Sequence, residues 1–320
     1  ACGVAVILLT WKLSLALRTE ADTESRFDSL LPPLGLMLWC PFVVWMNSGL
    51  ETILFALLLL VVVERFLSDP DSIGRRWHMG LALGVLGATR PEGFGYLLLV
   101  AAYGVLFDVT GNRSFKSTVA SLCSLMAGAL VILVPLLLWR WSYYGELLPN
   151  TVFAKSSTQS MLGERSIFVL PFILLFREGS PYIWKWIVSL GYGLPVFFAC
   201  MSMLYRAGLG RRLVLFVPVI GALVVTWWNA GDWMSDSRLL VPVTPLVLIL
   251  ALEGLREVRR RVRAYPVKWL KAVPQVIALI TMVGLPIHIL ASRDDHGVLP
   301  WVEERMPLGQ ALAEFADPGE

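Results

Sequence analysis

Apolar runs separated by short charged or turn-rich breaks recur along the whole chain, at 1–17, 29–46, 50–66, 78–90, 94–108, 119–141, 182–204, 213–228, 239–253 and 273–291. Crossing the hydrocarbon of a bilayer takes about 20 mainly apolar helical residues. The pattern therefore predicts an all-α fold, a polytopic transmembrane helical bundle with about ten spans. The run 78–90 is short and is followed by Pro91 and Gly93, so 78–108 is expected to form a tight or re-entrant hairpin held within protein. SIFVLPFILLF at 166–176 is about half a span and reads as an interfacial helix. The membrane domain is expected to cover 1–291, with 292–320 the start of an extracytoplasmic region.

Composition agrees with that reading: 57% of residues are hydrophobic and 16% charged, and the mean hydropathy is +0.68. A soluble core of this size does not hide so much apolar surface. The loops 18–28, 64–77, 109–118, 206–212 and 254–271 fall on one side of the alternating spans and hold 17 of the 27 lysines and arginines. The positive-inside rule makes that side cytoplasmic, in a multi-pass protein of the inner (plasma) membrane. Between two spans, REVRRRVRAYPVKWLK reads as a topology anchor near anionic lipid, and no nucleic-acid partner is expected.

The four cysteines, Cys2, Cys40, Cys123 and Cys200, lie in apolar runs and read as small buried hydrophobes. His78, His288 and His296 have no partner at ligand spacing, and no glycine loop suited to a phosphate is present. No metal site and no cofactor is expected, although a divalent metal stays open. Ala1 already stands in an apolar run, and ALAEFADPGE closes a polar helical stretch. The expectation is a fragment cut at both ends.

A charge at mid-bilayer costs about 2.5–3.5 kcal/mol on insertion scales, so charges between apolar runs call for a reason. They occur at Lys12, at Glu51 in WMNSGLET and at Arg90 and Glu92 in GATRPEGFG. Two further segments carry them: WRWSYYGELLPNTVFAKSS, with Tyr143, Tyr144, Glu146, Asn150 and Lys155, and WWNAGDWMSDSRLL, with Asp232, Asp236 and Arg238. All but Lys12 fall on the extracytoplasmic face by the loop charges, which were assigned without using these motifs. Each also has a structural reading. Glu51 suits a helix N-terminus, Arg90 and Glu92 suit a pair that closes a proline turn, and the tyrosines suit an interfacial belt. Lys12 either snorkels or pairs inside the bundle. Asp232, beside Gly231 and flanked by tryptophans, is the least readily explained as structure.

Arginine forks suit phosphate oxygens, which makes Arg90, Arg238 and Lys155 candidates for a polyprenyl-phosphate headgroup. Glycosyl transfer also needs a base for the accepting hydroxyl and groups that hold the sugar. Asp232 is the candidate acidic residue, and Glu51, Glu92, Tyr144 and Asn150 are candidate substrate contacts.

Four segments, SGLETILFALLLL at 48–60, TRPEG at 89–93, YYGELLPNTVFAK at 143–155 and GDWMSDSRLLVPVTPL at 231–246, resemble the GT-C class of membrane glycosyltransferases that use polyprenyl-phosphate sugars. Within that class they resemble the branch of the mycobacterial terminal arabinofuranosyltransferase. They occur in the family's order over about 200 residues, and they do not specify the sugar. The resemblance implies a GT-C-like bundle around an outward-facing cavity, a lipid donor entering from the bilayer, and a C-terminal extracytoplasmic domain that LGQALAEFADPG would begin. It also implies an acidic catalytic motif in a first outer loop, which would lie before Ala1. On that expectation the principal base is missing and the fragment alone is inactive, with Asp232 a second acidic site residue. The partners implied are the bilayer, the polyprenyl-phosphate sugar and a glycan, lipid or protein acceptor in the cell envelope. The competing reading is a lipid or polysaccharide transporter or flippase. It predicts charges along a path through the bilayer and internal repeats, whereas the charges gather at one face and no convincing repeat occurs.

Overall fold

The structure is a computed structural model that describes residues 1–17, 27–68, 72–147, 183–184, 186–187, 192–206, 208–228, 238–262, 273–280 and 283. Most of these residues are helical, with no strand among them. In chain order the helices are α1 (Cys2–Ala16), α2 (Leu31–Leu38) after a 3₁₀ turn (Phe27–Leu30), α3 (Cys40–Asn47), α4 (Thr52–Ser68), α5 (Ile73–Thr89) and α6 (Glu92–Thr110). They continue as α7 (Phe115–Tyr144), α8 (Gly193–Met203), α9 (Leu209–Trp228), α10 (Thr244–Val262) and α11 (Val273–Leu279). Among the described residues, α6, α7 and α9 are long and apolar enough to cross a membrane, and α2 with α3 adds a fourth if the bent pair is one span. The chain is a membrane protein. The expected interfacial helix at 166–176 and the region 292–320 lie outside the described residues, as do parts of the expected spans 182–204 and 273–291.

The expected span 29–46 is broken. Its two halves meet at 63°, with Trp39 extended between them at φ −80° and ψ 113°. Pro41 is the cause: it has no N–H to donate to the Met37 carbonyl, and its ring collides with that carbonyl in a continuous helix. Trp39 turns the break inward, where it stacks on Tyr192 at 4.1 Å between centroids. Tyr192 in turn stacks on Trp186 at 4.4 Å, and the Tyr192 hydroxyl meets Thr244 Oγ1 at the start of α10 at 3.2 Å.

The bundle is built around α4 and α10. Every residue from Thr244 to Arg256 is buried, and α4 buries ten of its side chains, including Phe55, Leu59, Leu60 and Phe66. The expected span 239–253 and loop from 254 need correction here, because α10 runs on to Val262 and carries Arg256 and Arg259 inside the protein. The helix continues because these charges have internal partners. Arg256 donates to Glu253, to Ser29 Oγ at 2.8 Å and to the Ser14 carbonyl, and Arg259 pairs with Asp28. The basic run therefore begins as a packed helix end, with Arg261 on its exposed side.

Helices α5 and α7 pack backbone to backbone. A Cβ on Gly80 would collide with the Leu125 carbonyl, and one on Gly128 with the Trp77 carbonyl. Small residues at such a seam let dispersion contacts replace the hydrophobic drive that lipid does not supply. The α5–α6 connection is as close: a Cβ on Gly93 would strike the backbone of Leu86 and Gly87. The pair 78–108 is thus a tight hairpin, with α5 starting at Ile73 rather than 78. The earlier start has the same origin as the α10 extension. Arg76, expected in a loop, is buried with its Nη2 3.2 Å from Asp108 Oδ1 on α6.

The four cysteines differ from the expectation of burial: Cys123 and Cys200 stand on exposed helix faces, while Cys2 and Cys40 are half-buried. Lys12 pairs with Glu64 on α4 at 2.9 Å.

Candidate functional site

Connectivity puts the α4 start, the α5–α6 turn and the α7 end together at the pole opposite the basic loops. Arg90 closes α5 in an extended conformation, φ −148° and ψ 142°, which sends its side chain back across the start of α4. There its Nε lies 3.8 Å from Glu51 Oε1 and 3.5 Å from Glu92 Oε2. The guanidinium carbon sits 5.5 Å from the Phe55 ring centroid. Arg90 is buried, and its two carboxylate neighbours keep some solvent contact. Both acidic residues stand at helix starts, where the exposed N–H groups favour a negative charge. Glu51 accepts the first α4 hydrogen bond, from Phe55 N at 2.8 Å. At 3.5–3.8 Å the carboxylates neutralise Arg90 without forming the short forked bonds of a bidentate pair.

The structural reading of Arg90 and Glu92 as a pair at the proline turn is therefore seen directly, and Glu51 joins it from a segment about 40 residues away. Tyr96, one turn into α6 and buried, donates to the Pro218 carbonyl at 3.4 Å and ties this corner to α9. Arg238 is half-buried before α10, its guanidinium 5.9 Å from the Trp45 ring at the end of α3. Tyr144 is placed differently. It is exposed at the end of α7 and belongs to an aromatic cluster with Tyr143 at 4.8 Å and Trp139 at 5.7 Å, as an interfacial belt would have it. Asn150, Lys155 and Asp232 lie outside the described residues.

A cavity of about 70 Å³ opens beside Arg90, between the end of α5, Pro91 and Phe94, and Leu136, Leu137 and Arg140 of α7. Pro135 precedes this wall and interrupts the α7 hydrogen-bond ladder. The sequence pattern did not single out Arg140, which stands between Trp139 and Trp141. The available signal was a lone cation at the end of an uncharged run of more than twenty residues.

No family model matches the sequence, and no curated protein matches it. A solved structure does: the apo crystal structure of the Archaeoglobus fulgidus oligosaccharyltransferase aligns over 98% of this chain at a TM-score of 0.51, with 12% identity. The fold is GT-C-like. The chain spans about half of that protein's length, 47% of it. At this identity the likeness carries architecture and no residue correspondence. The Arg90 corner, with Glu51 and Glu92, shares its pole with Arg140 and Arg238, and the described part of the basic loops lies at the other.

Proposed function

We propose that the chain is the membrane part of a glycosyltransferase, hexosyl or pentosyl, that moves a sugar from a polyprenyl-phosphate donor to a glycan, lipid or protein acceptor of the cell envelope. The observation that carries this reading is the meeting of two sequence-separated family-like segments, 48–60 and 89–93, in one Glu51–Arg90–Glu92 cluster of a GT-C-like fold. The basic loops at the opposite pole support an extracytoplasmic position for the cluster in the inner membrane. About ten crossings are proposed for this stretch, with the shorter helices packed among the longer ones.

In this reading Arg90, Arg238 and Lys155 hold the donor phosphate, Glu51, Glu92, Tyr144 and Asn150 contact substrate, and Asp232 is an acidic site residue. The narrower likeness to the arabinofuranosyltransferase branch rests on the four segments alone. Charges strung through the bilayer would favour a transporter, yet most of the described ion pairs lie toward helix ends, Lys12–Glu64 included, with Glu253–Arg256 near the middle of α10 the exception.

The test is transfer of radiolabelled sugar from polyprenyl-phosphate donors in membranes that contain the full-length protein. Wild type is expected to label an envelope acceptor, and Asp232→Asn to lower the rate at least about 100-fold, the lower range for a group that moves a proton. Full activity in Asp232→Asn would remove Asp232 from the site. No transfer from any polyprenyl-phosphate donor would sink the reading.

A further inference from the structure

The charges around the 70 Å³ cavity are unequally matched. Arg90 has two carboxylates within 4 Å. Arg140, on the facing wall, makes no ion pair among the described residues, and its Nε is buried without a hydrogen-bond partner. An unmatched guanidinium N–H is costly to bury, and a charged acceptor relieves that cost most fully. The cavity volume is several times the roughly 10–15 Å³ that one water needs, room for a compact oxyanion.

Depth points the same way. Arg140 lies 25 residues along α7 from Phe115, which at 1.5 Å per residue is about 37 Å, against about 30 Å of hydrocarbon. With one end of α7 at one interface, Arg140 stands at the headgroup level of the other. Trp139 and Trp141 on either side are exposed, as interfacial tryptophans are. An arginine that only snorkelled would carry its whole head to the surface, whereas Arg140 is half-buried with its Nε inside protein.

We infer that Arg140 is the cation that binds a phosphate group in this cavity, with Arg90 held in place by Glu51 and Glu92 as the second wall of the same pocket. The ligand class is a phosphate mono- or diester, carried on a lipid headgroup or free in solution. The naming of a polyprenyl phosphate as the lipid rests on the transferase reading; the pocket's preference for a phosphate oxyanion does not.

The experiment measures binding rather than transfer, so that the two can fail separately. Full-length protein in phosphatidylcholine nanodiscs is titrated with a fluorescent polyprenyl phosphate, with inorganic phosphate and phosphatidylglycerol as competitors. Arg140→Gln is expected to weaken binding at least about tenfold at an unchanged melting temperature, the scale of one charged hydrogen bond. Ala88→Phe, which narrows the cavity from an exposed position and leaves the charge alone, is expected to weaken it severalfold. Competition by inorganic phosphate would identify a free phosphate site; competition by unlabelled polyprenyl phosphate alone would identify a lipid headgroup site. Unchanged affinity in Ala88→Phe, or in a folded Arg140→Gln, overturns the inference. Equal competition by phosphatidylglycerol also overturns it, since Arg140 would then be a general lipid anchor. Transfer by wild type with unaltered binding in both variants would leave the transferase standing and remove this pocket.

Discussion

At the basic-loop pole of the bundle the buried arginines are satisfied inside the protein: Arg76 pairs with Asp108, Arg256 with Glu253 and Arg259 with Asp28, while Arg212 donates to the carbonyls of Ser202, Tyr205 and Gly208. Arg76 and Arg259 do leave Nε unpaired, yet each pairs through a terminal nitrogen. The space beside Arg76 and Asp108 is about 10 Å³, enough for no more than a water. At the other pole Arg90 is neutralised at longer range, Arg140 meets no carboxylate among the described residues, and the cavity beside them is about 70 Å³. One pole uses arginine to seal helix ends. The other leaves cationic capacity beside an open space, which is what a site for an anionic substrate needs and a purely structural end does not.

The largest expected effect is at the sealed pole. Asp108→Ala strands Arg76, whose side chain is 3% exposed, and also removes the contact of Arg113 at 3.3 Å. Breaking a buried pair in this way costs about 3–5 kcal/mol, read as a lowered melting temperature in detergent. The double replacement Arg76→Met with Asp108→Leu should recover most of that loss, because it removes the charge as well as its partner. Failure of the double variant to recover would mean that the pair does more than seal the helix ends.

Next in size is Gly93→Ala, which forces α5 and α6 apart at the Arg90 turn. Overpacking of this kind costs about 1–3 kcal/mol, and here it also shifts Arg90 relative to Glu92. A stability loss without any loss of transfer would separate the turn from the site.

The smallest effects belong to Glu51→Gln and Glu92→Gln. Each leaves Arg90 one carboxylate, and partly exposed pairs are worth about 0.2–1 kcal/mol. A thermal double-mutant cycle should show the two together costing more than the sum of the single changes, because only the double leaves the buried Arg90 uncompensated. Strict additivity would mean that the carboxylates do not share Arg90.

Much of the helix layout was legible in hydropathy. Expected spans 50–66, 94–108, 119–141 and 213–228 became α4, α6, α7 and α9 with ends moved by a few residues. The larger misreadings arise where a partner far along the chain changes what a charge means. Arg76 and Arg256 look like loop residues until Asp108 and Ser29, more than 200 residues from Arg256 in the second case, are folded against them. The bend at Trp39 was missed because hydropathy averages over a proline that breaks the helix. In the site, the motifs pointed to Glu51, Arg90 and Glu92, and the fold joins them. Tyr144 stands in an exposed aromatic cluster with Tyr143 and Trp139, and Arg140 drew no notice as a single cation beside the cavity.

We propose that the pole carrying Arg90 serves transfer while the pole carrying Arg76 holds the bundle together. The most direct measurement is labelled-sugar transfer from a polyprenyl-phosphate donor by three full-length proteins whose melting temperatures are recorded alongside: wild type, Arg90→Gln, and Arg76→Met with Asp108→Leu. The account predicts transfer by wild type and, within about twofold, by the double variant, and a loss of at least about 100-fold in folded Arg90→Gln, the scale of removing a group that stabilises developing phosphate charge. Wild-type-like transfer by Arg90→Gln, or an equal loss in a folded double variant, would contradict it.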